Sequence, residues 1–325
     1  MATQGYGHLI KPLGFRGTRP RTKRYYEANN TGPETSKVRQ LAGKKDLEGI
    51  DLSVAFEYHD GLGNWYGEDK PHVHDYTEVQ CYVGLDTAAI NYLGADMELC
   101  LGDDMVPYAF SEPTAVVVPA GVPHGPVRTT RMYSPRGFAC FRAALTGTPG
   151  HAAGKRTPVK GKGLAKLVKP LKDYILFQRG KRNPAWFDNA EQIQRVAAMK
   201  IQVGPGMADH VVRMNGTHLE GIDLSLDWAF FSKPGTWFRG AGAHTNPADE
   251  LVIFMGTDPT CPGRLGAEVE LDLGPEHERH IINKPCAVIC PAGLPHGPHI
   301  TRWVDRPFAF SSVFLGPEVT MKEFD

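Results

Sequence analysis

The sequence predicts an all-β protein built as two tandem copies of one barrel. Three observations carry this. Apolar runs such as VVVP, FACF, ELVIFMG and AVICP are short, and turn signals such as GLGN, LGAD, PAGVP and PAGLP separate them. LEGIDLS occurs at Leu47–Ser53 and again at Leu219–Ser225, an offset of 172 that also carries PAGVPHGP at Pro119–Pro126 onto PAGLPHGP at Pro291–Pro298. From Leu47 to Pro126 no gap is needed and 30 of 80 positions are identical. Chance gives about one in fifteen to twenty.

The bulk numbers bound the function. A chain of 325 residues with 41% apolar and 22% charged content suits two soluble globular domains. Lys+Arg and Asp+Glu are both 36, so charge gives no reason to expect nucleic acid as a partner, and a small-molecule substrate is expected instead. No apolar run is long enough to span a membrane. MATQGYGHLIKPLGFRG lacks a continuous apolar core for export, which points to the cytoplasm. Six cysteines without CxxC spacing read there as reduced thiols.

The expected division is residues 1–150 and 151–325, the second domain opening with the basic linker His151–Pro170. RGTRPRTKR at 16–24 is basic too, and the copies open alike with LIKPL at Leu9 and LVKPL at Leu167. Such segments are anion contacts, solvated linkers, or arms that wrap a neighbouring domain or subunit; self-association is compatible with the last. The best helical pattern is Asn189–Met199.

PHVHDYTE, Pro71–Glu78, carries the chemistry. Alternate residues of a strand share a face, so His72 and His74 point the same way. A short bend after them brings the carboxylate of Glu78 to the same point, and PAGVPHG turns the chain to deliver His124. Three imidazoles and one carboxylate make a mixed N/O set that suits Fe(II), Mn(II), Ni(II), Cu(II) or Zn(II).

HxHxxxE followed by PxGxxH resembles the cupin double motif, and the chain looks like a bicupin, with the resemblance covering Leu47–Leu145 and Leu219–Leu315. It implies two jelly-roll (double-stranded β-helix) barrels, with a metal held by His72, His74, Glu78 and His124 at one end of the first. Two features depart from the family pattern: Gly67 lies five rather than six before His72, and Arg128 stands where asparagine often ends the second motif.

The second copy reads HTNPADE: His244, Glu250 and His296 persist but Asn246 replaces a histidine, leaving a weaker second set. His299 is a further candidate there. Cys286 and Cys290 share a strand face and read as small buried hydrophobes ahead of thiolate ligands.

Comparing the copies marks a substrate side. Tyr58, Gln80 and Tyr82 of the first copy become Phe230, Val252 and Phe254 in the second, and Arg142 becomes Ser312. The first three are therefore expected as catalytic handles. The favoured reading is an Fe(II) dioxygenase acting on a small phenolic or carbonyl compound. The alternatives are a Mn(II) lyase or isomerase resembling oxalate decarboxylase, and a bicupin that binds small molecules without turnover.

Overall fold

The computed structural model describes residues 5–13, 39–65, 70–149, 156–178, 181–182, 202–239, 242–319 and 322–323. The basic stretch at 16–24, Gly67, residues 151–155 of the linker and the helical pattern at 189–199 lie outside them. Two compact units result.

In the unit of the first copy, a six-stranded sheet runs Val168–Pro170, Thr114–Val118, Glu78–Gly84, Phe138–Ala144, Ser53–His59, Arg39–Leu41. A four-stranded sheet runs Gly63–Asn64, His124–Met132, Ala95–Leu101, Val106–Phe110. The unit of the second copy repeats the pattern. Its larger sheet contains Cys286–Cys290, Glu250–Gly256, Phe308–Phe314 and Ser225–Phe231 in that order, and its smaller one contains Glu278–Ile282, Ala267–Leu273 and His296–Val304. All these pairings are antiparallel.

The repeated LEGIDLS has a local cause. Leu47 and Leu52, like Leu219 and Leu224, are 0% exposed. Between them Glu48 and Glu220 take φ values of 55° and 63°, so the chain reverses through the left-handed region before the strand begins. The closing serines then pin the turn: Ser53 Oγ donates to Thr146 O at 2.6 Å, and Ser225 Oγ donates to Gly316 O at 3.0 Å. A second repeated device is Gly84 and Gly256, where an added Cβ would lie 1.9 Å from Tyr92 O and 2.3 Å from Arg264 O. Backbone crosses backbone there, which only glycine permits.

The ends of the units depart from a division at residue 150. LIKPL does not open the first barrel. Its strand, Ile10–Pro12, pairs with Cys286–Cys290 of the second copy, and Leu13 N–H donates to Pro285 O at 3.0 Å. LVKPL makes the matching pairing with the first copy: Val168–Pro170 lies on Thr114–Val118, and Leu171 N–H donates to Pro113 O at 2.8 Å. Each barrel's edge is thus covered by the arm that precedes the other copy in sequence. Leu9→Ala is accordingly expected to cost about 2 kcal/mol. The loss should appear as weakened amide protection along Cys286–Cys290, while Thr114–Val118 stays protected; hydrogen exchange reads both. No helix among the described residues is long and apolar enough to cross a membrane.

Candidate metal centre

Cross-strand register fixes which side chains share the interior of the first barrel. Glu78 lies opposite Ala144, Gln80 opposite Arg142, Tyr82 opposite Cys140, and Gly84 opposite Phe138. On the far side of the same strand, Arg142 meets Ala55, Cys140 meets Glu57, and Phe138 meets His59. Directly paired residues project to one face. The interior column therefore descends from Glu78 through Gln80 and Arg142 to Tyr82 and Glu57, and ends at His59.

The three histidines gather over the top of this column. His72 and His124 exchange backbone hydrogen bonds of 2.9 and 3.1 Å across the barrel rim, with their rings 4.2 Å apart. Gly125 makes room: a Cβ there would sit 3.4 Å from His72 Nδ1. The His74 ring is 4.6 Å from that of His124. Nδ1 of His74 bonds Tyr76 O at 2.6 Å and Nδ1 of His124 bonds Val122 O at 3.0 Å. A carbonyl only accepts, so both rings carry their proton on Nδ1 and present a bare lone pair at Nε2. Those two Nε2 atoms are buried and have no hydrogen-bond partner. Burial, followed by the neighbouring His72 and His74, pushes His124 down to about 3, and burial also lowers His74. Both stay neutral at ordinary pH, as ligands must.

Glu78 is oriented from below. Tyr82 Oη donates to Gln80 Oε1 at 2.7 Å, and Gln80 Nε2 donates to Glu78 Oε1 at 2.7 Å. One carboxylate oxygen is thereby anchored within the barrel. Buried lone pairs with nothing to accept from, backed by oriented partners, fit a divalent transition metal.

The second barrel differs. Among the described residues, His244, Glu250 and His296 are the trio whose ligand atoms all lie within 4.8 Å of one another. Their closeness comes from bonding within the protein. Glu250 Oε2 contacts His296 Nε2 at 3.1 Å and Asn246 Nδ2 at 2.5 Å, and Ser312 Oγ donates to Glu250 Oε1. Burial would raise the Glu250 carboxyl, but His296 and Ser312 bring it down to about 2. Burial would lower His296, and Glu250 more than reverses that. Glu250 and His296 are satisfied as an ion pair, and a metal would have to displace it.

This pair has a pH signature. The depressed Glu250 adds stability above its unfolded value of 4.5, lost as pH falls towards about 2. The raised His296 adds stability that is fully present below 6.5 and fades as pH climbs through its folded value. Glu250→Gln should therefore lower the melting temperature most between pH 4.5 and 6.5, which a series of thermal melts checks.

Comparison with solved structures places the fold. A mutant of oxalate decarboxylase from Bacillus subtilis superposes with a TM-score of 0.53 at 10% identity, covering 91% of this chain and 76% of that one. The structure of oxalate decarboxylase from Bacillus subtilis at pH 4.6 gives 0.53 at 12%, covering 89% and 74%. The fold is that of a bicupin. No family model and no curated protein matches the sequence.

The fold brings Gln80 and Tyr82 to the Glu78 carboxylate. It does not bring Tyr58. That residue pairs with Ala139, so its ring projects to the opposite face and packs edge-on against Phe56 at 5.0 Å. Its counterpart Phe230 pairs with Ala309 and packs against Trp228, so it is no filler of the second interior, whereas Val252 and Phe254 are. Cys286 and Cys290 belong to that same core, and burial pushes both thiols up, which keeps them protonated.

Two interior residues that sequence reasoning missed flank Tyr58: Glu57 and His59, both 0% exposed. Arg142 Nη2 donates to Glu57 Oε1, and Glu57 Oε2 lies 3.2 Å from His59 Nε2. The offset of 172 holds the signal, since Glu57 becomes Ala229 and His59 becomes Phe231. Polar gain also runs the other way. His299, opposite Leu271, stacks on Trp237 at 4.6 Å inside the second barrel, where Val127 stands in the first.

Proposed function

We propose that the chain is a metal-dependent enzyme, with a divalent ion, Mn(II) by preference, held in the first barrel by His72, His74, Glu78 and His124. The reaction class is that of a lyase releasing carbon dioxide from a small carboxylic acid. The observation that carries the metal is the pair of buried, partnerless Nε2 atoms of His74 and His124. The reaction class draws support from the likeness to oxalate decarboxylases, one of them described for its Mn(II) centres. The bound ion supplies Lewis-acid polarisation of a substrate oxygen. The protein fixes the imidazole tautomers through Tyr76 O and Val122 O, and it holds Glu78 in place through Gln80 and Tyr82. In the net reaction a C–C bond breaks, carbon dioxide leaves, and a proton takes its place.

The Fe(II) oxygenase reading keeps Gln80 and Tyr82 but loses Tyr58, which faces away from the column. Purified protein, assayed for metal and then supplied with a panel of small carboxylic acids, separates the two. Carbon dioxide released without matching oxygen uptake is the expected result. One oxygen consumed per turnover would establish the oxygenase instead. Metal-free protein without turnover on any acid would make the chain a binding protein.

A further inference from the structure

Arg142, Glu57 and His59 form a buried charged group that the metal site does not require. Glu57 and His59 are 0% exposed, and the Arg142 side chain is 29% exposed. His59 stacks on Trp65, with ring centroids 3.5 Å apart and planes 12° apart. Burying such charges costs several kcal/mol even when they are paired, so their arrangement in the interior calls for a use. The second barrel is the internal control. It forms the same sheets with Ala229, Phe231 and Ser312 at these positions. Its own pair, Arg213 with Asp227, sits on different strand positions and is bidentate at 2.7 and 2.5 Å, so the two oxygens of Asp227 face one guanidinium. In the first barrel the carboxylate of Glu57 is shared between Arg142 and His59.

Placement says what the group is for. Arg142 pairs directly with Gln80, the residue that holds Glu78, so the guanidinium lies one step below the ligand row. Glu57 and His59 lie deeper and fix it from beneath. Charge counting then narrows the ligand. A divalent ion is set against Glu78, and Arg142 against Glu57. His59 is neutral, because burial lowers it more than Glu57 raises it. One positive charge remains.

We propose that the first barrel binds one singly charged carboxylate, anchored by Arg142 beside the metal, with Glu57 as the positioning residue that aims the guanidinium and sets the charge. This rests on the metal reading above and adds the substrate class and two residues to it. Glu57 holds Arg142 at one depth and removes one positive charge, which favours a monoanion over a dianion. Arginine suits the task because its planar fork matches a carboxylate.

The test is calorimetric titration of Mn(II)-loaded protein with acetate and benzoate, with acetamide and benzamide as neutral controls and oxalate as the dianion. Metal content is measured in the same samples. Wild type should bind a monocarboxylate roughly 10–100-fold more tightly than its amide, and Arg142→Ser should lose that preference. Glu57→Gln, which keeps a hydrogen-bonding group but removes the charge, should shift preference from acetate towards oxalate by roughly tenfold; a merely structural role would not. Should a single variant fail to fold, the triple change Glu57→Ala, His59→Phe, Arg142→Ser installs what the second barrel already carries, and it should melt cooperatively with full metal and no carboxylate preference. Unchanged carboxylate binding in folded, metal-replete Arg142→Ser or the triple variant overturns the proposal. So does amide binding equal to carboxylate binding, or an unmoved oxalate-to-acetate ratio in Glu57→Gln. Wild type that takes up no Mn(II) overturns the metal reading instead, and the titrations repeated on metal-free protein still decide the role of Arg142.

Discussion

His124→Ala is expected to lower bound metal by more than about tenfold, while His296→Ala changes metal content little. The two histidines occupy matching places in the repeat but different electrostatic settings. His124 offers a buried lone pair that nothing in the protein uses, so its loss removes a ligand and relieves an unsatisfied atom. In the metal-free protein its melting temperature should stay near that of wild type. His296 is the counter-charge of Glu250, at 3.1 Å and 1% exposed. Its removal strands a carboxylate in the interior, which costs about 3–5 kcal/mol. Elemental analysis and thermal melts of the two apoproteins should show opposite phenotypes. Metal retained at wild-type level in His124→Ala would remove the first barrel as the metal site.

Phe254→Ala should destabilise the second barrel by about 3–5 kcal/mol through the cavity it leaves. The ring is 0% exposed and packs against Trp237, Phe308 and Phe310 at centroid distances of 6.3, 6.5 and 5.4 Å. Its counterpart Tyr82 touches Trp65 and Phe110 but spends its hydroxyl on Gln80. Tyr82→Phe should therefore keep its melting temperature and lose activity by freeing Gln80, and hence Glu78. Denaturant unfolding of Phe254→Ala beside an activity measurement on Tyr82→Phe checks the contrast. A stable Phe254→Ala would show that this interior collapses onto the space.

The gathering of His72, His74 and His124 and the repeat itself were legible from spacing alone. HVH and PAGVPHG are short local spacings, and the offset of 172 needs only comparison of the sequence with itself. The phase of the Ser53–His59 strand was not legible. All seven of its residues are buried, so the alternation of Ser53, Glu57 and His59 with Val54, Phe56 and Tyr58 does not mark an outer face, and the polar side is the inner one. Tyr58 and Glu57 were equally eligible on sequence, and only the pairing of Glu57 with Cys140, itself opposite Tyr82, decides between them. The ion pair of Arg142 and Glu57 spans 85 residues, beyond any local pattern. The closeness of Glu250 and His296 is likewise a property of assembled strands. Which barrel each arm covers was not legible for a related reason: LIKPL and LVKPL are nearly the same peptide, and nothing in either names its barrel.

The exchange of those arms orders the protein's birth on the ribosome. Val168–Pro170 emerges soon after the strand it covers, so the first barrel can be completed while the second is still untranslated. Ile10–Pro12 emerges long before its partner, which begins about 270 residues later, a wait of roughly 15–55 s at ordinary elongation rates. Until Val168–Pro170 emerges, the nascent LIKPL arm and the uncovered Thr114–Val118 edge are both present, and the later LVKPL arm is the one that must finally hold that edge. Correct assembly is thus a competition between two near-identical peptides for two edges in matching places of the repeat, and the order of synthesis offers the first arm the wrong one first.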